Sequence, residues 1–345
     1  MNDSATTPLA FGLGVGTRDA HGNWLEIYYP HLVFQPPANT TGAIDEHFGV
    51  DAGERDADPK ALARYAEALR ATDVPAAEVV AALAAANRTV IAVRLDEDRA
   101  IASTAEGYLK LHLLSQRHVL PNEIDLDGIY EVLPTVAWTS EGAIAIDELP
   151  QRLLQARLSE RHMEVHAVDK FPRMLNYVVP SGVRIAAASR VRLGAYLGEG
   201  TTVMQEGFVN FNAGALGPNM VEGRISQGVI LGEGTDLGGS ASTMGTLSGG
   251  GKIVISLGKN CLVGANAGTG IPLGDRCTIE AGLYITASTP VSLLDDKGNP
   301  VKTVKARELA GQSDLLFIRN GRTGAVECRT NKSAIALNEA LHAHN

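Results

Sequence analysis

Between Ile185 and Val291 an aliphatic residue returns at every sixth position. One series runs Ile185, Val191, Leu197, Val203, Val209, and a second runs Ile225, Leu231, Leu237 with Thr243 next in phase. A third pairs Leu257 with Val263, and a fourth runs Leu273, Ile279, Ile285, Val291. Such a period matches neither the helical repeat of about 3.6 nor the alternation of a lone strand. It is the period of a three-sided parallel coil, in which each hexad supplies one short strand and one corner, with its aliphatic residue pointing inward. The expected product is a left-handed parallel β-helix, an exception to right-handed crossover connections. At about 18 residues per coil and about 4.8 Å between strands, five or six coils would stack. The glycines of "RLGAYLGEGT" and "LGEGTDLGG", with Gly258, Gly264 and Gly274, fall where corners should recur. Glycine reaches positive φ without steric cost, which suits a corner.

Two stretches interrupt the hexads: residues 210–224, "NFNAGALGPNMVEGR", and residues 244–256, "MGTLSGGGKIVIS". Both read as excursions from a rigid scaffold, where function is usually carried.

The flanks lack hexads. Residues 1–180 read as an N-terminal α/β domain, 181–292 as the coil, and 293–345 as a C-terminal extension. Strands are expected over Asn23–Phe34, ended by Pro36-Pro37, and in "TVIAVRL". Helices are expected in "DPKALARYAEALRA" and "VPAAEVVAALAAAN", over Ile101–His118 and over Asp147–Met163. "DLLFIR-NG-RTGAVECR" predicts a hairpin about Asn320-Gly321, and Ser333–His344 a short terminal helix. Gly12-Leu13-Gly14-Val15-Gly16 resembles a dinucleotide fingerprint but lacks a βαβ setting. Asp125-Leu126-Asp127-Gly128 opens like a calcium loop but lacks the distal glutamate, and reads as a turn.

The chain has 345 residues and is 45% hydrophobic, ordinary for a globular protein with room for two or three domains. No run approaches the roughly 18 apolar residues of a membrane span, and the N-terminus lacks the pattern of a signal peptide. Cys261, Cys277 and Cys328 are odd in number and unclustered in sequence, which fits a reducing cytoplasm and neither a disulfide framework nor a zinc site. The net charge of −9 disfavours nucleic acid. Residues 182–292 carry seven basic and seven acidic side chains, so the acidity lies in the flanks and scattered arginines remain available to anions.

All nine histidines lie outside the repeats, although His162 or His166 could reach them. A carboxylate is therefore the expected proton-transfer group on the coil. Glu199, Glu233, Asp236 and Asp275 occupy glycine-bounded corners and read as solvated surface charges, while Glu280 follows an inward isoleucine. Glu206 differs: it stands in "VMQEGFVNFN", before the first interruption and near Asn210 and Asn212. An apolar flank with few neighbouring charges would raise its pKa, as a general base requires. Glu222 is the second candidate, with Arg224 beside it as an ion-pair partner. "TLSGGGK", Thr246 to Lys252, offers consecutive backbone N–H groups, a hydroxyl and a cation suited to phosphate or to pantetheine amides, without Walker A spacing.

"EGFVNFNAGALG", "MVEGRIS", "MGTLSGGG" and "LVGANAGTGIPLGD" resemble the tetrahydrodipicolinate N-succinyltransferases of the bacterial diaminopimelate–lysine pathway, in their longer branch with a large N-terminal domain. The resemblance is dense from about Lys170 to Ala287. It implies a homotrimer of left-handed β-helices with active sites between neighbouring subunits. It also implies succinyl-CoA as co-substrate, with tetrahydrodipicolinate or its opened form L-2-amino-6-oxopimelate as acceptor. The family's catalytic glutamate falls on Glu206, acting as general base or as an acyl-accepting nucleophile. Contacts to the acyl-CoA fall on Gly223, Ser226, Ser248, Gly249, Gly264 and Ala265. No tightly bound cofactor, metal site, nucleic acid or membrane partner is expected.

Independently of the resemblance, Arg224, with Arg184, Arg190 or Arg192 from an adjoining subunit, suits bidentate recognition of carboxylates. Arg224, Asn210 and Asn212 are the candidate substrate-binding residues. Two other readings compete: a hexapeptide-repeat acyltransferase acting on a sugar nucleotide or serine, and a non-enzymatic β-helical assembly module. The histidine-free coil weighs against the first, and the asparagine- and glycine-rich interruptions against the second.

Overall fold

The computed structural model describes residues 7–246 and 253–330. The chain forms two compact units, Met1–Leu113 with Ile124–Pro172, and Leu114–Glu123 with Arg173–Asn345. No helix among the described residues is long and apolar enough to cross a membrane.

In the first unit a four-stranded antiparallel sheet has the order β2-β1-β4-β3, with β1 Ala10–Arg18, β2 Trp24–Phe34, β3 Gly53–Asp56 and β4 Ile91–Leu95. Helices α1 (Ala38–Phe48), α2 (Pro59–Leu69) and α3 (Val74–Ala84) close its core around Phe11, Leu13, Ile44, Leu62, Tyr65 and Val80. The second and third helices start where their sequences say they should. Asp58 accepts from the Lys60 N–H at 3.2 Å and Asp73 from that of Ala76 at 3.0 Å, each with a proline in the first turn. Two further expected helices are present but shorter than read, Thr104–Ser115 and Leu149–Leu158. The helix over Ala38–Phe48, the first and third strands and a small antiparallel sheet (Val136–Thr139, Gly142–Ala145, Val165–Asp169) were not anticipated.

The glycine triplet belongs to β1. A Cβ at Gly12 or Gly14 would meet the Tyr29 ring at 2.8 or 2.9 Å, so these glycines admit an aromatic side chain. Asp125–Gly128 is a turn, closed by the Asp127 N–H on Asp125 Oδ1 at 2.8 Å. Its Asp125 carbonyl receives the buried Lys110 ammonium at 2.7 Å, and Asp98 Oδ1 receives it at 2.8 Å.

The second unit contains the coil. Its first side stacks Arg184–Ile185, Thr202–Val203, Met220–Val221, Asp236–Leu237, Leu262–Val263 and Thr278–Ile279 in parallel register. The second side stacks Phe208–Val209, Arg224–Ile225, Ser242–Thr243, Gly268–Thr269 and Tyr284–Ile285. Tyr196–Leu197, Gly214–Ala215, Ile230–Leu231 and Ser256–Leu257 form the third. The second residue of each pair points inward, and all of these from Leu197 to Ile285 are at most 2% exposed. These are the sides of a left-handed parallel β-helix.

Residues 210–224 are not an excursion. Ala215 and Val221 continue the phase of Val209, both fully buried, and the series breaks only where the Val221-to-Ile225 corner takes four residues instead of six. Thr269 to Leu273 repeats that short corner. The interruption at 244–256 is a true excursion, with a step of 14 positions from Thr243 to Leu257. The corner glycines also divide into two kinds. Gly200 has φ +81, as expected of a turn, but Gly198 has no positive φ; a Cβ there would lie 2.0 Å from the Leu216 carbonyl on the next coil. Asn212, Ser240, Asn260, Asn266 and Arg276 occupy other positive-φ corners.

Past Pro290 two hairpins follow, Pro290–Leu294 with Pro300–Lys305 and Leu315–Arg319 with Val326–Thr330. Phe317 pairs in parallel with Ile279 and continues the inward stack. The second hairpin turns through residues 320–325, closed by the Asn320 N–H on the Ala325 carbonyl at 2.9 Å, a longer loop than a two-residue Asn-Gly turn. The expected helix Ser333–His344 lies outside the described residues.

Two measurements test this account. Ala215→Glu would bury an unpaired carboxylate inside the prism and cost about 3 kcal/mol or more, read as a lower denaturation midpoint. A surface excursion would accept the same change almost silently, and that outcome would return residues 210–224 to a loop. In the first unit, His112 is fully buried, its Nδ1 bonded to the Tyr108 carbonyl at 2.7 Å and its Nε2 accepting the Tyr29 N–H at 3.3 Å. Desolvation holds it down at about 4, against an ordinary 6.5, and does the same to His31. The unfolded chain binds these protons first, so their contribution to stability is complete above pH 6.5. It declines as pH falls toward 4, by up to about 1.4 kcal/mol per pH unit for each histidine. Denaturation midpoints between pH 7 and 4 should fall less steeply in His112→Gln than in the parent, and equal slopes would remove His112 from the account.

Candidate active site

Parallel register makes the position of a residue along a side equivalent on every coil. Residues leaving the second side therefore stack along one edge of the prism, and residues entering it stack along another. The candidate residues divide between these two edges.

The leaving edge carries Asn210 and Asn212 on one coil, Ser226 to Gly228 on the next, and Gly245 and Thr246 above them. With Asn122 and Val254 they line an open pocket of about 560 Å³, and none of the described residues that line it is charged. Thr246 bridges to Val254 and the Ile255 N–H donates to the Gly245 carbonyl at 3.1 Å, so the excursion rises from this pocket as a hairpin stem. Ser226 is fixed by two bonds to the coil above: its Oγ donates to the Thr243 carbonyl at 2.6 Å and its N–H to Thr243 Oγ1 at 3.1 Å. Asn210 Oδ1 accepts from Arg192 Nη1 at 3.1 Å. The Asn212 amide is committed to Asn122, which makes it a wall-building residue more than a group facing a ligand. Ser248 and Gly249 lie outside the described residues.

The entering edge carries Glu206, Gly223, Gly264 and Ala265. The charge-poor apolar surroundings expected for Glu206 are not found. Its side chain is 68% exposed in the single chain, with Arg190 Nη2 3.5 Å from Oε2. Sequence reading missed this pairing because Arg190 lies one coil below, 16 positions away. Gly223 and Gly264 hold corners where the next coil passes closely; a Cβ would meet the Ala241 carbonyl oxygen at 2.3 Å and the Ala281 nitrogen at 2.6 Å respectively. Ala265 is exposed beside Gly264.

Between the edges, the outer surface of the second side presents Phe208, Arg224, Ser242, Gly268 and Tyr284 in register. Arg224 donates to Ser242 Oγ at 2.6 Å in place of the expected pairing with Glu222. The Arg192 guanidinium stands 5.9 Å over the Phe208 ring. Arg190, Arg192 and Arg224 thus flank one side, whereas Arg184 belongs to the first side, where it lines a separate pocket of about 390 Å³ with Met204. Of the corner carboxylates, Glu233 pairs with Lys259 at 2.8 Å as a surface charge should, but Asp236 is 4% exposed and accepts the Met220 N–H at 2.7 Å. An inter-coil bond is its role. His162 and His166 face Glu164 at 3.7 Å within the first unit. Among the described residues, no group of three or more His, Cys, Asp or Glu is arranged to hold a metal ion.

Comparison with known proteins gives a consistent picture. Residues 254–287 match a family model described as the hexapeptide repeat of succinyl-transferase, and residues 133–173 one described as the middle region of tetrahydrodipicolinate N-succinyltransferase. The 2,3,4,5-tetrahydropyridine-2,6-dicarboxylate N-succinyltransferase of Pseudomonas putida is 55% identical over 99% of this chain and 100% of its own length. Its namesakes from Pseudomonas aeruginosa and Vibrio cholerae are 57% and 52% identical, over 98% and 97% of this chain and 98% and 99% of their own. A Campylobacter jejuni crystal structure, titled as a 2,3,4,5-tetrahydropyridine-2-carboxylate N-succinyltransferase, superimposes with a TM-score of 0.88 at 31% identity, covering 97% of this chain and 95% of that one.

The close approach at Gly223 separates a structural corner from a ligand contact. Gly223→Ala should destabilise the coil by about 1–3 kcal/mol, because the obstructing atom is backbone and cannot yield. Gly239, on the same edge, has nothing nearer its Cβ than Glu222 Oε2 at 3.8 Å, so Gly239→Ala should leave the melting temperature unchanged. Equal melting temperatures for the two variants would show that Gly223 is not needed for packing.

Proposed function

The chain belongs to the tetrahydrodipicolinate N-succinyltransferase family, and from that premise we propose that neighbouring coils of a homotrimer share each active site. The reaction is succinyl transfer to the amine of tetrahydrodipicolinate, or of its opened form L-2-amino-6-oxopimelate, in diaminopimelate and lysine biosynthesis. Succinyl-CoA is the donor. The carrying observation is the division of the candidate residues between two edges of one prism. A ligand that needs Ser226 as well as Gly264 and Ala265 is best served by the leaving edge of one coil stack facing the entering edge of another. The three cysteines are free and buried, in keeping with a cytoplasmic enzyme.

The chemistry of the two regions favours a division of labour. A pocket whose described lining is rich in amides and hydroxyls suits the pantetheine arm, whose polar groups are themselves amides and a hydroxyl. The guanidiniums of Arg224, Arg190 and Arg192 suit the carboxylates of the acceptor and of the succinyl group, which accept paired N–H bonds. Asn210 holds Arg192 in place, and Asn212 shapes the pocket wall.

Water adds across the cyclic C=N bond of tetrahydrodipicolinate and opens it to L-2-amino-6-oxopimelate, and within the ternary complex the primary amine so formed attacks the thioester carbonyl. A C–N bond forms, the C–S bond breaks, and the proton released from nitrogen passes to Glu206 and on to the departing thiolate. Arg190 orients the Glu206 carboxylate, and corner N–H groups stabilise the transient oxyanion. A neighbouring subunit would cover Glu206, which is open to solvent in the single chain.

The test is thiol release from succinyl-CoA with tetrahydrodipicolinate as acceptor. Glu206→Gln should fold and assemble as the parent does and lose roughly 10² or more in kcat. Activity within threefold of the parent would remove Glu206 from catalysis, release of CoA without acceptor would replace the direct attack by an acyl-enzyme, and a fully active monomer would exclude the shared site.

A further inference from the structure

We propose that Asn122, a residue outside the coil, is a positioning residue for acyl-CoA: it sets the wall of the pocket that faces the hairpin stem. The proposal rests on the reading of that pocket as the pantetheine site.

Residues 114–123 belong to the same compact unit as the coil and run against its first turns. The segment has two separate attachments. Near its start, the Gly194 N–H donates to Ser115 Oγ at 2.8 Å, and Ser115 Oγ donates to the Ala195 carbonyl at 3.2 Å. Arg117 donates to the carbonyls of Leu197 at 2.5 Å and Ser181 at 2.8 Å. These four bonds tie the segment to the corner at Gly194 and Ala195, to Leu197 on the third side and to Ser181 ahead of the first, and none of these residues is among the described residues lining the pocket.

Asn122 makes the other attachment. Its N–H donates to Asn212 Oδ1 at 2.8 Å, its Oδ1 accepts from Asn212 Nδ2 at 3.2 Å, and its Nδ2 donates to the Gly228 carbonyl at 2.9 Å. Two successive coils are thereby joined through one side chain. Asn122 sits at φ +70, a conformation that asparagine tolerates better than most residues. All three residues of this cluster line the pocket. Gly228 is its midpoint: a Cβ there would lie 3.2 Å from Val254 Cγ1 on the hairpin stem and 3.5 Å from Asn122 Oδ1. At this coil Gly228 therefore lies between Asn122 on one wall and the stem on the other.

Because the Ser115 and Arg117 bonds hold the segment independently, the Asn122 bonds are not needed to keep it folded. They define where the wall stands. Losing them should weaken the ligand that threads the pocket and leave the reacting groups on the other edge untouched.

Asn122→Ala should raise KM for succinyl-CoA roughly tenfold, the effect of about one well-made hydrogen bond, with kcat within about twofold and KM for the acceptor unchanged. Asn122→Asp keeps the shape and the acceptor for Asn212 but turns an oxygen toward the Gly228 carbonyl, so it should fail as badly as alanine. In the double variant Asn122→Ala/Asn212→Ala, KM should rise no further than in the worse single variant, as expected of two residues acting as one unit. Unchanged KM for succinyl-CoA in both Asn122 variants overturns the proposal. So does a parallel rise in KM for both substrates with a lowered melting temperature, which marks a merely structural role. Calorimetric binding of CoA alone separates this from the pocket reading. If Ser226→Trp, which fills the pocket, leaves CoA affinity intact, the pocket reading itself fails; if it abolishes binding while Asn122→Ala does not alter it, only the positioning role is lost.

Discussion

Everything in the second unit depends on one hydrogen-bond pattern: each coil donates from its backbone N–H groups to the carbonyls of the coil above, in parallel register. That register forces inward residues to stack, as Val203, Val221, Leu237, Val263 and Ile279 do on the first side. It equally forces outward residues and corner residues into columns. A column of corners is a continuous rigid edge, and a ligand can be read along it by residues far apart in sequence. Polar inward positions survive because they are satisfied locally: Thr243 Oγ1 accepts from Ser226 and donates to the Arg224 carbonyl, and Thr269 Oγ1 donates to the Ile271 carbonyl.

How much of this was legible in the chain follows from what the register requires. Branched aliphatics at a six-residue spacing identify the coil because little else in water needs that period. Ala215 and Val221 were missed for complementary reasons: alanine carries little hydrophobic signal, and the four-residue corner after Val221 shifts the phase before the series can be followed. Cys261 and Cys277 look scattered in sequence yet are neighbours on successive coils, with the Cys277 N–H donating to Cys261 Sγ at 3.4 Å. Their separation is one coil containing a short corner. In the first unit, helices with a capping aspartate and a following proline were readable, whereas strand Gly53–Asp56, charged along most of its length, was not.

The site was legible by residue type more than by arrangement. An absent histidine pointed to a carboxylate, and the asparagine-rich corner to a polar pocket. What sequence could not give was the assignment of residues to edges, since Glu206 and Asn210 are four positions apart but border opposite margins of one side. Nor could it reveal Arg190 beside Glu206, or Asn122 beside Asn212, because both pairings arise only when separate segments are stacked or laid against the coil.

The short corners and the hairpin stem have a consequence for how such a chain can vary. Each corner restores the inward phase whatever its length, since four residues suffice after Val221 and 14 are accommodated after Thr243. Changes of length can thus be taken up at a corner that the neighbouring coil leaves open, but not within a side or where that coil closes over the corner, as at Gly223. The fold behaves like a ruled scale on which marks may be lengthened without displacing the divisions, so a loop at an open corner, such as the one after Thr243, can be exchanged, shortened or grafted while every coil beyond it keeps its place.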